Sequence, residues 1–172
     1  MKKTVKDIDI KGKKVIMRVD FNVPLDKETN SKITDTTRVD AAMPTIEYIL
    51  SQGASLILMS HLGRPKGEAN PKYSLKPVYD YLKTKLPNNK VIFANDCIGE
   101  EVKKTAGSLN AGDVLLLENL RYHAEEEKND ANFSKQLADL ADVYVNDAFG
   151  TAHRAHASTA GIVAAKPSMP AV

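Results

Sequence analysis

Five short apolar runs, Val15–Val19, Leu56–Met59, Val91–Phe93, Val114–Leu117 and Val143–Val145, recur along the chain with helical periods between them. None of the runs alternates polar with apolar residues, which is how strands covered on both faces read. Between the first two, Val39, Ala42, Met43, Ile46, Ile49 and Leu50 follow helical spacing, with Asp35 or Thr36 to cap the start and Gly53 the end. Ser74 can cap a second helix with Leu75, Val78 and Leu82 on one face, and Pro87 stops it. Ile98, Val102 and Ala106 mark a third helix; Phe133, Leu137 and Leu140 mark a fourth. Strand–helix–strand repetition at this spacing predicts right-handed crossovers. The expected fold is α/β: a Rossmann-like three-layer sandwich, with a mostly parallel sheet flanked by helices on both faces.

A chain of 172 residues suits one domain with a substantial core. Its net charge is only +2, too small for the global field that draws a protein onto nucleic acid or an anionic membrane. One cysteine, Cys97, excludes an internal disulfide and any zinc cluster of cysteines. The N-terminal residues are basic but lack an apolar core, so they do not read as a signal peptide. No apolar run approaches the ~20 residues that span a bilayer. The expectation is a soluble, cytoplasmic protein with no nucleic-acid or membrane partner.

Five arginines stand against nineteen lysines: Arg18, Arg38, Arg64, Arg121 and Arg154. Arg adds to charge a planar fork that grips phosphate or carboxylate with two hydrogen bonds. In open parallel sheets, ligands bind beyond the carboxyl ends of the strands. The first strand runs into Arg18, Asp20 and Asn22, and the second into Ser60, His61 and Arg64. The fourth runs into Glu118, Asn119 and Arg121, and the fifth into Asn146, Asp147, His153, Arg154 and His156. The third, ending in Asn95, Asp96 and Cys97, brings no Arg or His of its own. Arg38 lies near the start of the first helix, where free N–H groups favour anions. Together these residues suggest one site for a small, highly charged anion, with Asp20 and Asn22 as acceptors for a hydroxyl.

Plainer roles compete with this one. Arg18 can pair with Asp20 or Asp147, Arg38 can decorate an exposed helix turn, and Arg121 can pair with Glu125 or Glu126. His123 reads as a solvated loop residue, Cys97 as a packed one, and Glu125–Glu127 as a solvated acidic run. The chain lacks a P-loop, a GxGxxG turn, zinc-type spacing and a nucleophile elbow. It therefore offers an anion site without a nucleotide or metal motif. An autonomous phosphatase or isomerase would need Asp20 or His61 as its base. A non-catalytic anion-binding module is a further alternative.

Five segments carry a resemblance: RVDFNVP at 18–24, IxDxxR at 33–38, SHLGRPKG at 60–67, LLLENLRYH at 115–123 and VNDAFGTAHRAHAST at 145–159. In order and approximate spacing they resemble the N-terminal domain of the phosphoglycerate kinase family. The resemblance implies reversible transfer of the acyl phosphate of 1,3-bisphosphoglycerate to ADP in glycolysis, giving 3-phosphoglycerate and ATP. It implies that Asp20 and Asn22 lie at the hydroxyl and carboxyl end of 3-phosphoglycerate, and that Arg38 is the catalytic residue at the reacting carboxylate. His61, Arg64, Arg121 and Arg154 would hold the distal phosphate, Phe21, Leu62 and Gly63 would belong to the substrate-binding set, and Arg18, His153 and His156 would form a supporting basic patch. It implies a substrate-binding domain over residues 1–155 and, over 156–172, the start of an inter-domain connection, which looks cut rather than finished. The C-terminal domain, which would bring Mg-ADP or Mg-ATP, has no counterpart here. The expectation is a monomer that binds 3-phosphoglycerate without catalysing, and that leaves some apolar surface near its C-terminus uncovered.

Overall fold

Two rows of apolar side chains run across the sheet, one on each face, because successive residues of a strand point to opposite sides. Val91, Val114, Leu56, Val15 and Val143 stand in register in one row; Ile92, Leu115, Ile57, Ile16 and Tyr144 form the other. The computed structural model describes residues 4–148 and 155–172. Its strands are β1 (Lys14–Arg18), β2 (Ser55–Met59), β3 (Val91–Phe93), β4 (Val114–Leu116) and β5 (Val143–Asn146). They form one sheet in the order β3-β4-β2-β1-β5, and every pairing is parallel. All five apolar runs are strands, within a residue or so at each end.

The helices are α1 (Thr37–Ser51), α2 (Lys76–Lys85), α3 (Glu100–Gly107), α4 (Ala131–Ala138) and α5 (Ile162–Ala165). Val39, Ile46 and Ile49 of α1 and Val78 and Leu82 of α2 share one core with Val15, Leu56 and Val143. Val102 of α3, Phe133 and Leu137 of α4 and Ile162 of α5 share the other with Ile16, Ile57 and Leu115. The steps β1→β2 and β2→β3 cross the sheet one way beneath α1 and α2. The steps β3→β4 and β4→β5 cross it the opposite way beneath α3 and α4. Reversing direction while changing face is what a single crossover hand requires. The three-layer α/β sandwich is thus present, and no helix among the described residues is long and apolar enough to cross a membrane.

Local chemistry sets the helix ends. Asp35, rather than Thr36, caps α1: its Oδ1 accepts from the Thr37 N–H at 2.9 Å, while the Thr36 hydroxyl donates to Asp40. At the start of α2, Ser74 Oγ accepts from the Lys76 N–H, and Glu118 accepts from both the Ser74 hydroxyl and the Leu75 N–H. Helix α4 stops at Ala138, so Leu140 is buried beyond its end rather than on it.

Ala157, Ile162 and Met169 pack onto the α3/α4 side, while Val172 reaches the core on the other face. A π-helical turn, Ala157–Gly161, leads into α5, and a side chain at Gly161 would collide with Ser134 and Asn129 of the α4 region. Ala171 then bridges Tyr144 in parallel, and Val172 accepts from the Asn146 N–H at 2.8 Å. This pairing covers the outer edge of β5. Val163 on α5, 41% exposed, is the large hydrophobic side chain left outside among the described residues.

Candidate functional site

The loop after β2 leaves toward α2 on one face; the loop after the adjacent β4 leaves toward α4 on the other. Such a switch between neighbouring strands opens a crevice beyond their carboxyl ends. Asn119 holds its two walls together. Its side-chain oxygen accepts from the Leu62 and Arg121 N–H groups, and its NH2 donates to the carbonyls of Leu62 and Tyr73. All four hydrogen-bonding positions of this buried amide are filled, so the SHLGR segment has one orientation.

The end of β1 is tied to the same segment. The Phe21 N–H donates to Ser60 Oγ at 2.9 Å, and the Gly63 N–H donates to Asn22 Oδ1 at 2.9 Å. Arg38 reaches over from the first turn of α1. Its Nη1 donates to the Asn22 carbonyl at 2.7 Å and to Asp20 Oδ1 at 3.2 Å. Arg121 Nη1 approaches the Gly63 carbonyl at 3.5 Å. One guanidinium thus holds the Asn22 carbonyl and a second approaches the Gly63 carbonyl, on the two residues joined by the Asn22–Gly63 hydrogen bond. Arg38 is half exposed, whereas the Arg121 side chain is almost buried, with Glu127 at 3.8 Å. Arg121 therefore faces Glu127 rather than Glu125 or Glu126. Arg64 projects into solvent next to this junction.

Gly63 holds φ at +62°, a region that L side chains rarely adopt, and a Cβ there would overlap the Tyr73 ring. Gly63→Ala is expected to lower the unfolding free energy by about 1–3 kcal/mol in urea titrations, and to weaken any ligand that the Asn22–Gly63 junction positions.

Arg18 is fully buried and makes neither of the ion pairs expected for it. Nε donates to Ser158 Oγ at 3.0 Å, Nη1 donates to the Val19 carbonyl, and Nη2 meets His61 Nδ1 at 2.7 Å. Burial pulls the guanidinium's pKa down, and the charges of Glu126 and Tyr144 oppose that. A guanidinium only donates, so His61 Nδ1 must accept and the imidazole carries its hydrogen on Nε2.

Glu126 lies in the acidic run expected to be solvated, yet it is completely buried. It accepts from both the N–H and the hydroxyl of Ser158. Glu125 and Glu127 on either side are exposed, as expected of such a run. His156 is buried close by. Burial lowers its pKa, with Glu126 opposing and Arg121 and Arg18 contributing in the same direction as burial. His153 and Arg154 lie outside the described residues.

His123 also departs from its expected solvation. Its Nε2 is 2.7 Å from Asp96 Oδ1, and its ring packs against Phe133. The end of β3 thus receives an imidazole from the loop after β4. Asp96, Cys97 and His123 offer ligand atoms within 4.8 Å of one another, the one such trio among the described residues. Its imidazole and carboxylate already bond each other, and burial pushes the Cys97 thiol well up. The trio is a charge-assisted hydrogen bond beside a packed thiol.

The Asp96 bond holds the His123 pKa above its ordinary 6.5. Burial raises the Asp96 pKa, but the His123 bond and the Cys97 N–H outweigh it, so the pKa lies below the ordinary 3.8. Folding therefore gains fully from the imidazolium below pH 6.5 and loses that gain as pH rises through the raised value. The gain from the carboxylate is present above pH 3.8 and lost as pH falls through the depressed value. His123→Ala is expected to lower the urea midpoint more at about pH 5.5 than at about pH 9.

The fold and the site define an α/β domain with a cationic rim where β1, β2 and β4 end. The sequence model of phosphoglycerate kinase matches residues 5–171, and the chain belongs to that family. It is 60% identical over 167 residues to the cytosolic phosphoglycerate kinase 3 of Arabidopsis thaliana, an alignment covering 96% of this chain and 41% of that protein. It is 61% identical over 161 residues to the phosphoglycerate kinase of Chlorobium luteolum, covering 94% and 40%. The structure of phosphoglycerate kinase from Coxiella burnetii superposes with a TM-score of 0.83 at 34% identity, covering 98% of this chain and 40% of that one. The enzyme from Pyrococcus horikoshii superposes with a TM-score of 0.82 at 32% identity, covering 98% and 42%. The chain thus spans about two fifths of the length of these relatives.

Proposed function

We propose that this chain is the 3-phosphoglycerate-binding half of a phosphoglycerate kinase. The observation that carries this reading is the pair of guanidiniums, Arg38 at the Asn22 carbonyl and Arg121 at the Gly63 carbonyl, on the two residues that the Asn22–Gly63 hydrogen bond joins. A ligand with an anionic group at each end and a hydroxyl between them suits that arrangement. Asp20 and Asn22 take the hydroxyl and carboxyl end beside Phe21. Arg38 neutralises charge at the reacting carboxylate. His61, Leu62, Gly63, Arg64, Arg121 and Arg154 form the phosphate end, and Arg18, His153 and His156 support it.

Phosphoryl transfer depends on positioning and on stabilising charge more than on covalent chemistry. In the whole enzyme, 1,3-bisphosphoglycerate gives its acyl phosphate to ADP, reversibly. Residues 1–155 hold the phosphoglycerate, and 156–172 begin the connection to a second domain that brings Mg-nucleotide. This chain alone binds without turning over. Calorimetry tests the reading: 3-phosphoglycerate should bind at least about tenfold more tightly than glycerate or inorganic phosphate, each of which lacks one end. Equal affinity for inorganic phosphate contradicts the two-ended site. Hydrolysis of a phosphoester by these 172 residues favours the autonomous-enzyme alternative instead.

A further inference from the structure

We infer that Glu126 and Ser158 are positioning residues for His61, acting through the buried guanidinium of Arg18. The inference rests on the 3-phosphoglycerate reading for its link to binding. Donor and acceptor directions along this chain of groups are fixed by chemistry. The carboxylate of Glu126 only accepts and Arg18 Nε only donates. The Ser158 hydroxyl between them must therefore donate to Glu126 and accept from Arg18. Arg18 Nη2 must in turn donate to His61 Nδ1. Turning the Ser158 hydroxyl away would deprive both Arg18 Nε and Glu126 of a partner.

Ser158 is held from three further sides. Its N–H donates to Glu126 Oε1 at 2.8 Å, its carbonyl accepts from the Tyr144 hydroxyl at 2.8 Å, and the preceding Ala157 N–H donates to the Glu126 carbonyl at 2.9 Å. Arg18 has no surface exposed to solvent, so it makes no direct contact with a dissolved anion. Glu126 offsets the guanidinium's charge, and Arg18 in return keeps the imidazole as an Nε2–H donor. A neutral donor adds a hydrogen bond to the anion without adding a further cation beside Arg38, Arg64 and Arg121. The turn after residue 156 thus governs the tautomer of the His61 ring.

The test is a long-range 1H–15N correlation of histidine ring nitrogens in the 172-residue chain at about pH 7. In the unsubstituted chain, His61 should show the Nε2–H tautomer. In Ser158→Ala, which keeps both charges, and in Glu126→Gln, the His61 ring nitrogens should move toward a mixture of forms. Affinity for 3-phosphoglycerate should fall about tenfold in both, as expected when a charge-assisted hydrogen bond is lost. If Glu126→Gln does not fold, Ser158→Ala decides. A folded Ser158→Ala chain with unchanged His61 nitrogens and unchanged affinity overturns the inference, whatever happens to its melting temperature. Altered His61 nitrogens in a chain that never binds 3-phosphoglycerate support the coupling and contradict the substrate reading.

Discussion

Arg38→Lys, placed in a protein that joins this chain to the nucleotide-binding domain of its family, is expected to lower turnover by about two to three orders of magnitude. Lys keeps the charge but loses the planar fork, which here divides one nitrogen between the Asn22 carbonyl and Asp20. Stability should barely move. Arg38 is half exposed, and exposed ion pairs contribute about 0–1 kcal/mol. A drop in kcat with an unchanged urea midpoint is the expected signature. Turnover equal to that of the unsubstituted enzyme removes Arg38 from the reacting end of the site.

Arg18→Met should do the reverse to the isolated chain. It leaves Glu126 charged and buried without its counter-ion, a situation that costs about 3–5 kcal/mol. Adding Glu126→Gln removes that stranded charge, so the double variant should be more stable than the sum of the two single losses predicts. Urea unfolding of the four proteins in the cycle measures this. A loss under about 1 kcal/mol for Arg18→Met means that Arg18 is not stabilised by a buried partner.

The strands were legible in the sequence because both faces of the sheet are covered. An uninterrupted apolar run such as Leu56–Met59 leaves no competing half-solvated reading. The strand ends were legible too, because Arg is scarce in a lysine-rich chain and its positions therefore stand out. Partners across the sheet were not. Glu126 looks like its neighbours Glu125 and Glu127, and only the packing of Ser158 from far along the chain makes it a buried acceptor. His123 finds Asp96 because β4 lies next to β3, an adjacency that chain order alone does not specify. Leu140 kept helical spacing past the end of α4 and is buried without belonging to it. For the segment after residue 156, the Ala-rich composition gave no sign of the π-helical turn or of the pairing of Ala171 with β5.

The central claim, one 3-phosphoglycerate site built from the ends of β1, β2 and β4, is tested most directly by titrating the 15N-labelled chain with 3-phosphoglycerate. The backbone resonances of Asn22, Arg38, His61, Arg64, Arg121 and Arg154 should shift together along a single binding curve. Shifts that are absent at millimolar ligand, or that scatter away from these residues, contradict the claim.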